Sequence, residues 1–309
     1  MATIRTSLIA DFSRHWAAVF KSAGKLWLDS QAFIYAAALA FFTVFSIAPV
    51  VILIVTVFGL VLGEDTARAE LLSQLEAVMG EQAVAPVETA IENSRIEDSG
   101  IWPTLAGLAA TIVGATTVFA QMQKSLNQIW SVAPKPSRNS LWLFIKARLL
   151  SLTMVLSVGF ILLVSLLLGV IVRAVVMHAE QWIPVPGWLM LSVEPVLSLT
   201  VVALLFAAIF RILPDVTLRW SDVAAGALVT AILFTVGRSL IAWYLANTAA
   251  ASAYGAAGSL VLLLLWVNYS SLILLFGAAI CRANLEQRGR TIRPRNTAVR
   301  IHRELVEDS

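Results

Sequence analysis

Charged residues are scarce in this sequence. Asp, Glu, Lys and Arg make up 13% of its 309 residues, whereas 59% are hydrophobic. A soluble domain has about a quarter charged residues, so the shortage excludes a chain that faces water over most of its surface. The class that remains is a polytopic membrane protein. The net charge of +3 does not indicate nucleic acid as a partner, because the positions of the basic residues have another explanation, given below.

Cysteine, histidine and catalytic motifs are also scarce. Cys281 is the single cysteine, which excludes an intrachain disulfide and a CxxC metal pair. His15, His178 and His302 lie in three separate segments, which the topology below places on different sides of a membrane. No HExxH, GxSxG or P-loop pattern occurs. We therefore expect no enzymatic activity, no cofactor and no metal site.

The N-terminal residues 1–31 lack the roughly 7–15-residue apolar core and cleavage site of a signal peptide. The first long apolar segment is therefore predicted to be a permanent anchor. Before it, apolar residues recur at a spacing of three to four, from Ile4 to Trp27, with Arg14, Lys21 and Lys25 off that stripe. The pattern is typical of a basic amphipathic helix at the membrane interface. A helix that binds a partner protein is the alternative.

Six windows are long and apolar enough to cross a bilayer, which takes roughly 20 residues. We expect an all-α integral membrane protein, because a helix satisfies its own backbone hydrogen bonds in lipid. The membrane domain is residues 32–281, with predicted spans at 32–62, 102–121, 149–172, 189–213, 223–245 and 257–281.

The positions of Lys and Arg predict the orientation. With the N-terminus in the cytoplasm, 18 of the 22 basic residues lie inside, three lie outside, and Arg238 lies within a span. The sequence therefore predicts a bacterial inner-membrane protein with both termini cytoplasmic. Residues 282–309, which are charged and have no apolar core, are predicted to be a flexible cytoplasmic tail whose arginines contact anionic lipid.

The first outer loop, residues 63–100, has nine acidic and two basic residues. Its apolar residues show helical periodicity on either side of a break near Pro86. Two short amphipathic helices are predicted there. They form either a cap over the bundle or a gate or partner-docking element. The apolar positions are Leu71, Leu72, Leu75, Val78 and Met79, then Val84, Val87 and Ile91.

Pro49, near the middle of the first span, removes one backbone donor and frees the carbonyl of Phe45. Ser46 is close enough to help satisfy the break. The proline is either an ordinary kink or a hinge that exposes a carbonyl to a substrate path. In the second span, Gly107, Ala110, Gly114 and Thr117 form a small-residue stripe, which serves packing within the chain, a homo-oligomer or a pathway.

Four further polar residues lie within spans. Asn268 and Tyr269 are near the middle of the sixth span, where Asn268 either forms a hydrogen bond to another helix or contacts a substrate. Glu194 and Arg238 lie about 7 Å and roughly 10 Å from the outer surface, at 1.5 Å per residue. Such similar depths allow a salt bridge or a shared substrate site. Separate snorkelling to the headgroups is the alternative.

Several stretches resemble the YihY/BrkB family of bacterial inner-membrane proteins, in the family's order and over nearly the whole chain. They are AAALAFFTVFSIAP (36–49), LNQIW (126–130), RILPDVTLRWSDVAAGAL (211–228), YGAAGSLVLLLLW (254–266) and LILLFGA (272–278). The resemblance implies six transmembrane helices. It also brings an association with virulence and serum resistance, and an older label, ribonuclease BN. The absence of a cluster for metal ions or for acid and base catalysis argues against a nuclease.

Some members of that family have been connected with the export of envelope lipids. The resemblance therefore implies a transporter or lipid translocator, with membrane lipids as partners. A non-transporting membrane scaffold is the alternative. Arg238 stands where the family usually has a basic residue. Ala279 replaces a common acidic residue and Asn268 a common tyrosine, so an ion-coupled mechanism that needs that carboxylate is in doubt.

Overall fold

Long α-helices dominate the described part of the chain, which comprises residues 2–79, 84, 87–89, 101–135, 149, 153, 187–247 and 258–301 of a computed structural model. The predicted third span, 149–172, lies almost entirely outside these residues. The elements with described bounds are α1 (Ala2–Asp29), α2 (Ala32–Leu62), α3 (Glu64–Met79), α4 (Ile101–Ile129), β1 (Val132–Pro134), α5 (Gly187–Ile212), α6 (Trp220–Asn247), α7 (Gly258–Gln287) and β2 (Ala298–Arg300).

A sharp elbow separates α1 from α2. Ser30 and Gln31 form the turn, and Gln31 adopts a left-handed conformation with φ of 57°. The two helix axes around it differ in direction by 65°. At its other end α2 stops at Gly63, whose φ of 85° only glycine adopts readily. The chain then enters α3 directly, and α3 packs against α2.

The helices pack against one another in pairs. α2 lies against α4 and α7, and α6 lies between α5 and α7. Most of the largest fully buried side chains lie in, or just after, the C-terminal halves of α4, α5 and α7. They include Leu126, Trp130, Phe210 and Leu275. The core is therefore densest at the end of the bundle that the charge pattern assigns to the cytoplasm.

The described part of α1 packs against α7. Val19 and Ala23 are fully buried, and the Trp27 indole donates a hydrogen bond to the Leu272 carbonyl at 3.1 Å. His15 also lies 3.2 Å from the Asn284 side-chain oxygen. The portion of the apolar stripe that was expected to face the membrane interface is thus covered by the last helix. Helical periodicity predicted the stripe but not the surface that covers it.

The first outer loop begins with a helix, α3, in the place that its periodicity predicts. Leu71 is buried, and Val84 and Val87 beyond it are buried as well. These residues belong to the same hydrophobic cluster as α2, apart from Val84. Ile91 and the rest of the second predicted helix lie outside the described residues.

Within the described residues, helices occupy five of the predicted windows; the other window, 149–172, lies almost entirely outside them. By length and apolarity alone, Trp220–Ile241 and Leu260–Gln287 suit a membrane crossing, and the count within the described residues rises to three if the bent pair Ser13–Asp29 and Ala32–Ile47 forms one span. The six-span count and the orientation remain predictions. Large apolar side chains are exposed along these helices, as expected where lipid is the solvent; they include Phe41, Phe45, Val236, Leu240 and Leu265.

The C-terminal segment differs from the predicted flexible tail. Residues 288–301, which we call the C-terminal clasp, return to the bundle, and β2 pairs with β1 in antiparallel register, Ala133 opposite Val299. An isolated bridge joins Val216 to Pro294. The fold is therefore not purely helical. Composition gave no sign of this docking because the clasp is held largely by backbone hydrogen bonds and arginines, and Ile292 is its one residue in the main hydrophobic cluster.

Candidate functional site

Arg238, the predicted intramembrane charge, lies in the C-terminal half of α6 and is half-buried. One turn earlier on the same face, the Phe234 ring packs between Phe206 of α5 and Trp266 of α7, at centroid distances of 5.7 and 5.4 Å. Residues four apart lie on the same face of a helix. Arg238 therefore follows an aromatic contact that joins three helices.

Tyr269 reaches the same part of α6. Its ring lies against Gly237, where an added Cβ would overlap the ring, and its hydroxyl donates a long hydrogen bond of 3.4 Å to the Leu233 carbonyl. Tyr269 thus packs against the residue that precedes Arg238. Of the residues singled out from the sequence, Tyr269 is thus brought by the α6–α7 contact to the segment of α6 that holds Arg238.

Pro49 and Ser46 lie elsewhere, on α2. The helix continues through Pro49 as a single element, and the proline ring packs on Gly114 of α4, where a Cβ would come within 2.8 Å of it. Ser46 is buried. The small-residue stripe of the second span therefore receives Pro49 at Gly114, as the packing interpretation predicts.

For Asn268 and Glu194, the last two predicted site residues, the structure describes no side-chain contact. Asn268 is half-buried on α7, beside Tyr269. Glu194 lies within α5, but its side chain is outside the described part of the structure. The proposed salt bridge between Glu194 and Arg238 therefore stays a prediction.

Sequence patterns did not predict a partly buried polar pair at the opposite end of the bundle. The Asn127 side chain donates to the Asp215 carboxylate at 2.7 Å and accepts from the Asp215 backbone N–H at 2.8 Å. Gln123 approaches the same carboxylate at 3.3 Å. Both partners lie in stretches that carry the family resemblance, but 88 residues separate them, so no local pattern pairs them.

Two arginines of the C-terminal clasp, Arg290 and Arg295, bind the start of α6 and the end of α5. Arg290 forms an ion pair with Asp222 in the first turn of α6, and that carboxylate also accepts from the Arg219 backbone N–H at 2.9 Å. Arg295 donates to the carbonyls of Arg211 and Ile212, at 3.3 and 2.9 Å, where α5 ends. A carboxylate at a helix start and a cation at a helix end both complement the helix dipole.

Arg282 of α7 is the most buried arginine among the described residues, with 9% of its surface exposed. Its Nε donates to Glu286 at 2.8 Å. Its Nη1 donates to the Ile129 carbonyl at 2.5 Å and to the Ser131 hydroxyl at 2.8 Å. The guanidinium therefore joins α7 to the turn between α4 and β1.

A metal centre is not assembled by the side chains that the structure describes, where no three or more His, Cys, Asp or Glu residues gather. The chemistry available within this part of the chain is instead that of hydrogen bonding and of arginine side chains on largely apolar helices. Such groups suit the binding of polar or anionic molecules.

Comparison with known proteins places the chain among membrane proteins. The model of the virulence factor BrkB family matches residues 25–302. A UPF0761 membrane protein of Mannheimia succiniciproducens is 27% identical over 251 residues, which are 79% of this chain and 82% of that protein. One of Xanthomonas axonopodis pv. citri is 28% identical over 266 residues, 82% of this chain but 59% of that protein. No solved structure matches the chain.

Proposed function

The chain belongs to the family of the virulence factor BrkB, and from that premise we propose that it is a bacterial inner-membrane transporter that translocates an envelope lipid. The family match confirms the resemblance seen in the sequence. The relatives are named only as membrane proteins, so the transported substance has to be argued from the site.

The observation that carries the proposal is the half-buried Arg238 on α6. An ionisable residue inside an apolar helix is costly and points to a functional site. Tyr269 packs against the preceding Gly237, so an aromatic ring with a hydroxyl contacts the same turn of α6. A guanidinium binds phosphate with paired hydrogen bonds. We therefore assign Arg238 to the phosphate of a lipid headgroup.

The rest of the proposal follows from charge and composition. The excess of Lys and Arg in the predicted inner loops supports an inner-membrane location with both termini cytoplasmic. Membrane lipids are the proposed partners, nucleic acid is not one, and the chain acts without catalysis or a cofactor. The small-residue faces leave a homo-oligomer open.

The test is lipid translocation in proteoliposomes that contain the purified full chain and a headgroup-labelled phosphatidylglycerol or phosphatidylcholine. Labelled lipid that crosses is measured by chemical quenching of the outer leaflet. Because a charge-assisted hydrogen bond contributes roughly 1.5–3 kcal/mol, Arg238→Ala should slow transfer by about tenfold or more. Arg238→Lys should keep part of the rate.

The matched control is Arg288→Ala, which removes an exposed arginine from the turn after α7 and should leave the rate unchanged. If the unaltered chain moves no lipid, ion or small solute, transport is wrong and the scaffold alternative takes its place. If both arginine variants slow transfer equally, Arg238 has no special role in it.

A further inference from the structure

A cavity of about 160 Å³ with a mixed polar and apolar lining lies at the elbow between α1 and α2. It is comparable in size to a cavity of about 150 Å³ that accommodates benzene. Leu26 and Ile301 supply its apolar lining. Its polar lining comes from three separate parts of the chain and consists of Asp29, Ser30, Gln128, Ser131 and Arg282.

The backbone around this cavity is unusual. Gln31 and Ser131, with φ of 57° and 50°, are the two non-glycine residues with positive φ in the described part of the chain. Ser131 lines the cavity, and Gln31 adjoins the lining residue Ser30. Left-handed residues other than glycine cost of order 1–3 kcal/mol and concentrate at functional sites. In this protein, the two left-handed residues lie in or next to the lining of the same cavity.

Arg282 brings a guanidinium, ion-paired with Glu286, to the cavity wall. Its Nε and Nη1 are committed to Glu286, Ile129 and Ser131. Among the described residues, its Nη2 has no hydrogen-bond partner. A buried guanidinium with a free donor lining a cavity suits an anionic oxygen.

Asp29 provides a negative charge at the same cavity. It is exposed, and no hydrogen bond or ion pair joins it to another described residue. A ligand with only negative charge would be repelled by Asp29 and by Glu286, the ion-pair partner of Arg282. A ligand with only an ammonium group would leave the Nη2 donor of Arg282 without an acceptor. The pair therefore selects a molecule that carries both an anionic oxygen and an ammonium group.

The cavity lies beside a surface that suits lipid. Leu28, Phe33 and Ile34, next to the elbow, are 59%, 55% and 64% exposed. Trp27 packs on Phe33 with ring centroids 4.7 Å apart, and tryptophan prefers the headgroup level of a membrane. Apolar side chains around a polar cavity would hold acyl chains beside a bound headgroup.

We propose that the elbow cavity binds the phosphoethanolamine headgroup of a phospholipid, with the phosphate on Arg282 and the ammonium on Asp29. The site is distinct from the Tyr269–Gly237 contact next to Arg238, since Arg282 and Tyr269 are 13 residues and so about 20 Å apart along α7. The proposal goes beyond the proposed function because it concerns binding and requires no translocation.

The test is native mass spectrometry of the full chain in detergent with phosphatidylethanolamine, phosphatidylcholine or phosphatidylglycerol. We expect phosphatidylethanolamine to bind about tenfold or more tightly than the other two, because only it supplies both a phosphate and hydrogen-bonding ammonium protons. Asp29→Asn should remove that preference with little change in shape. Arg282→Lys should weaken binding of all three lipids.

The matched control is Asp65→Asn, another exposed acid at the start of α3, which should bind as the unaltered chain does. Low thiol reactivity of the buried Cys281 reports that each variant is folded. Equal binding of the three lipids, or an unchanged preference in a folded Asp29→Asn, would overturn the proposal. Free phosphoethanolamine should not displace the lipid at equal concentration; if it does, the lipid source is wrong.

Discussion

Three glycines allow α6 and α7 to approach closely. A Cβ on Gly226 would overlap the Gly277 carbonyl and the Cys281 sulfur, and one on Gly277 would overlap the Thr230 hydroxyl. Gly237 receives the Tyr269 ring in the same way. Small residues at helix contacts are a main source of association in lipid, where the hydrophobic effect between helices is absent. The contact that positions Arg238 therefore depends on residues without side chains.

Gly226→Ala should destabilise the protein by roughly 1–3 kcal/mol, the usual cost of an overpacked contact. The new methyl group would meet the backbone of α7, which cannot move aside as a side chain can. Thermal unfolding of the purified chain in detergent measures the effect. The control is Gly24→Ala, because open space surrounds that position; it should be neutral or slightly stabilising. Equal melting temperatures for the two variants would contradict the close contact.

At the scale of elements, the C-terminal clasp connects helices that are distant in sequence. Its backbone meets the α5–α6 connection, where the Thr217 N–H donates to the Arg293 carbonyl at 2.9 Å. It also meets the end of α4, where the Ile301 N–H donates to the Ser131 carbonyl at 2.8 Å. α7, the helix before the clasp, ends in a Schellman motif in which Gly289 is left-handed. The motif turns the chain back toward the bundle.

A chain that ends at Gln287 should lose these contacts, and Cys281 should then react faster with a maleimide. The Cys281 thiol donates to the Val223 carbonyl at 3.6 Å, next to the Asp222–Arg290 ion pair that the truncation removes. A chain that ends at Ile301 keeps the clasp and serves as the control. If both truncated chains react at the rate of the full chain, the clasp does not hold the ends of α6 and α7 together.

At the scale of the whole molecule, the exposed apolar side chains and the positions of the basic residues fit one placement of the protein in a bilayer. Large exposed apolar side chains occur along α2, α5, α6 and α7, including Phe45, Leu204, Val236 and Leu265. Among the described residues, the clasp arginines Arg290 and Arg295 lie at the start of α6 and the end of α5. A bilayer satisfies both features, with lipid tails around the helices and anionic headgroups or cytoplasm at the basic end.

The predicted orientation can be tested with single cysteines in a Cys281→Ala background. Lys25→Cys and Arg288→Cys should be protected from a membrane-impermeant maleimide in intact cells and react after permeabilisation. Asp65→Cys should react in intact cells, because charge counting places α3 outside. All three positions are exposed, so burial does not confound the comparison. Labelling of Arg288→Cys in intact cells would reverse the predicted topology.

The sequence determined the class of the molecule and where most helices run. Apolar windows and helical periodicity are local properties, so they predicted α2, α4, α5, α6 and α7 to within a few residues, apart from longer ends on α4 and α7. The motif order determined the family, which the comparison confirms. The predicted site stays a prediction: Tyr269 packs on Gly237, the chain neighbour of Arg238, while Pro49 packs on Gly114.

Tertiary structure alone decided which segments cover one another. His15 meets Asn284 across 269 residues, Asn127 meets Asp215 across 88, and a tail predicted to be flexible is held against the bundle. The cavity beside Arg282 likewise exists only because three distant segments converge. Periodicity specifies which face of a helix is apolar, but the partner of that face depends on the packing of the whole chain.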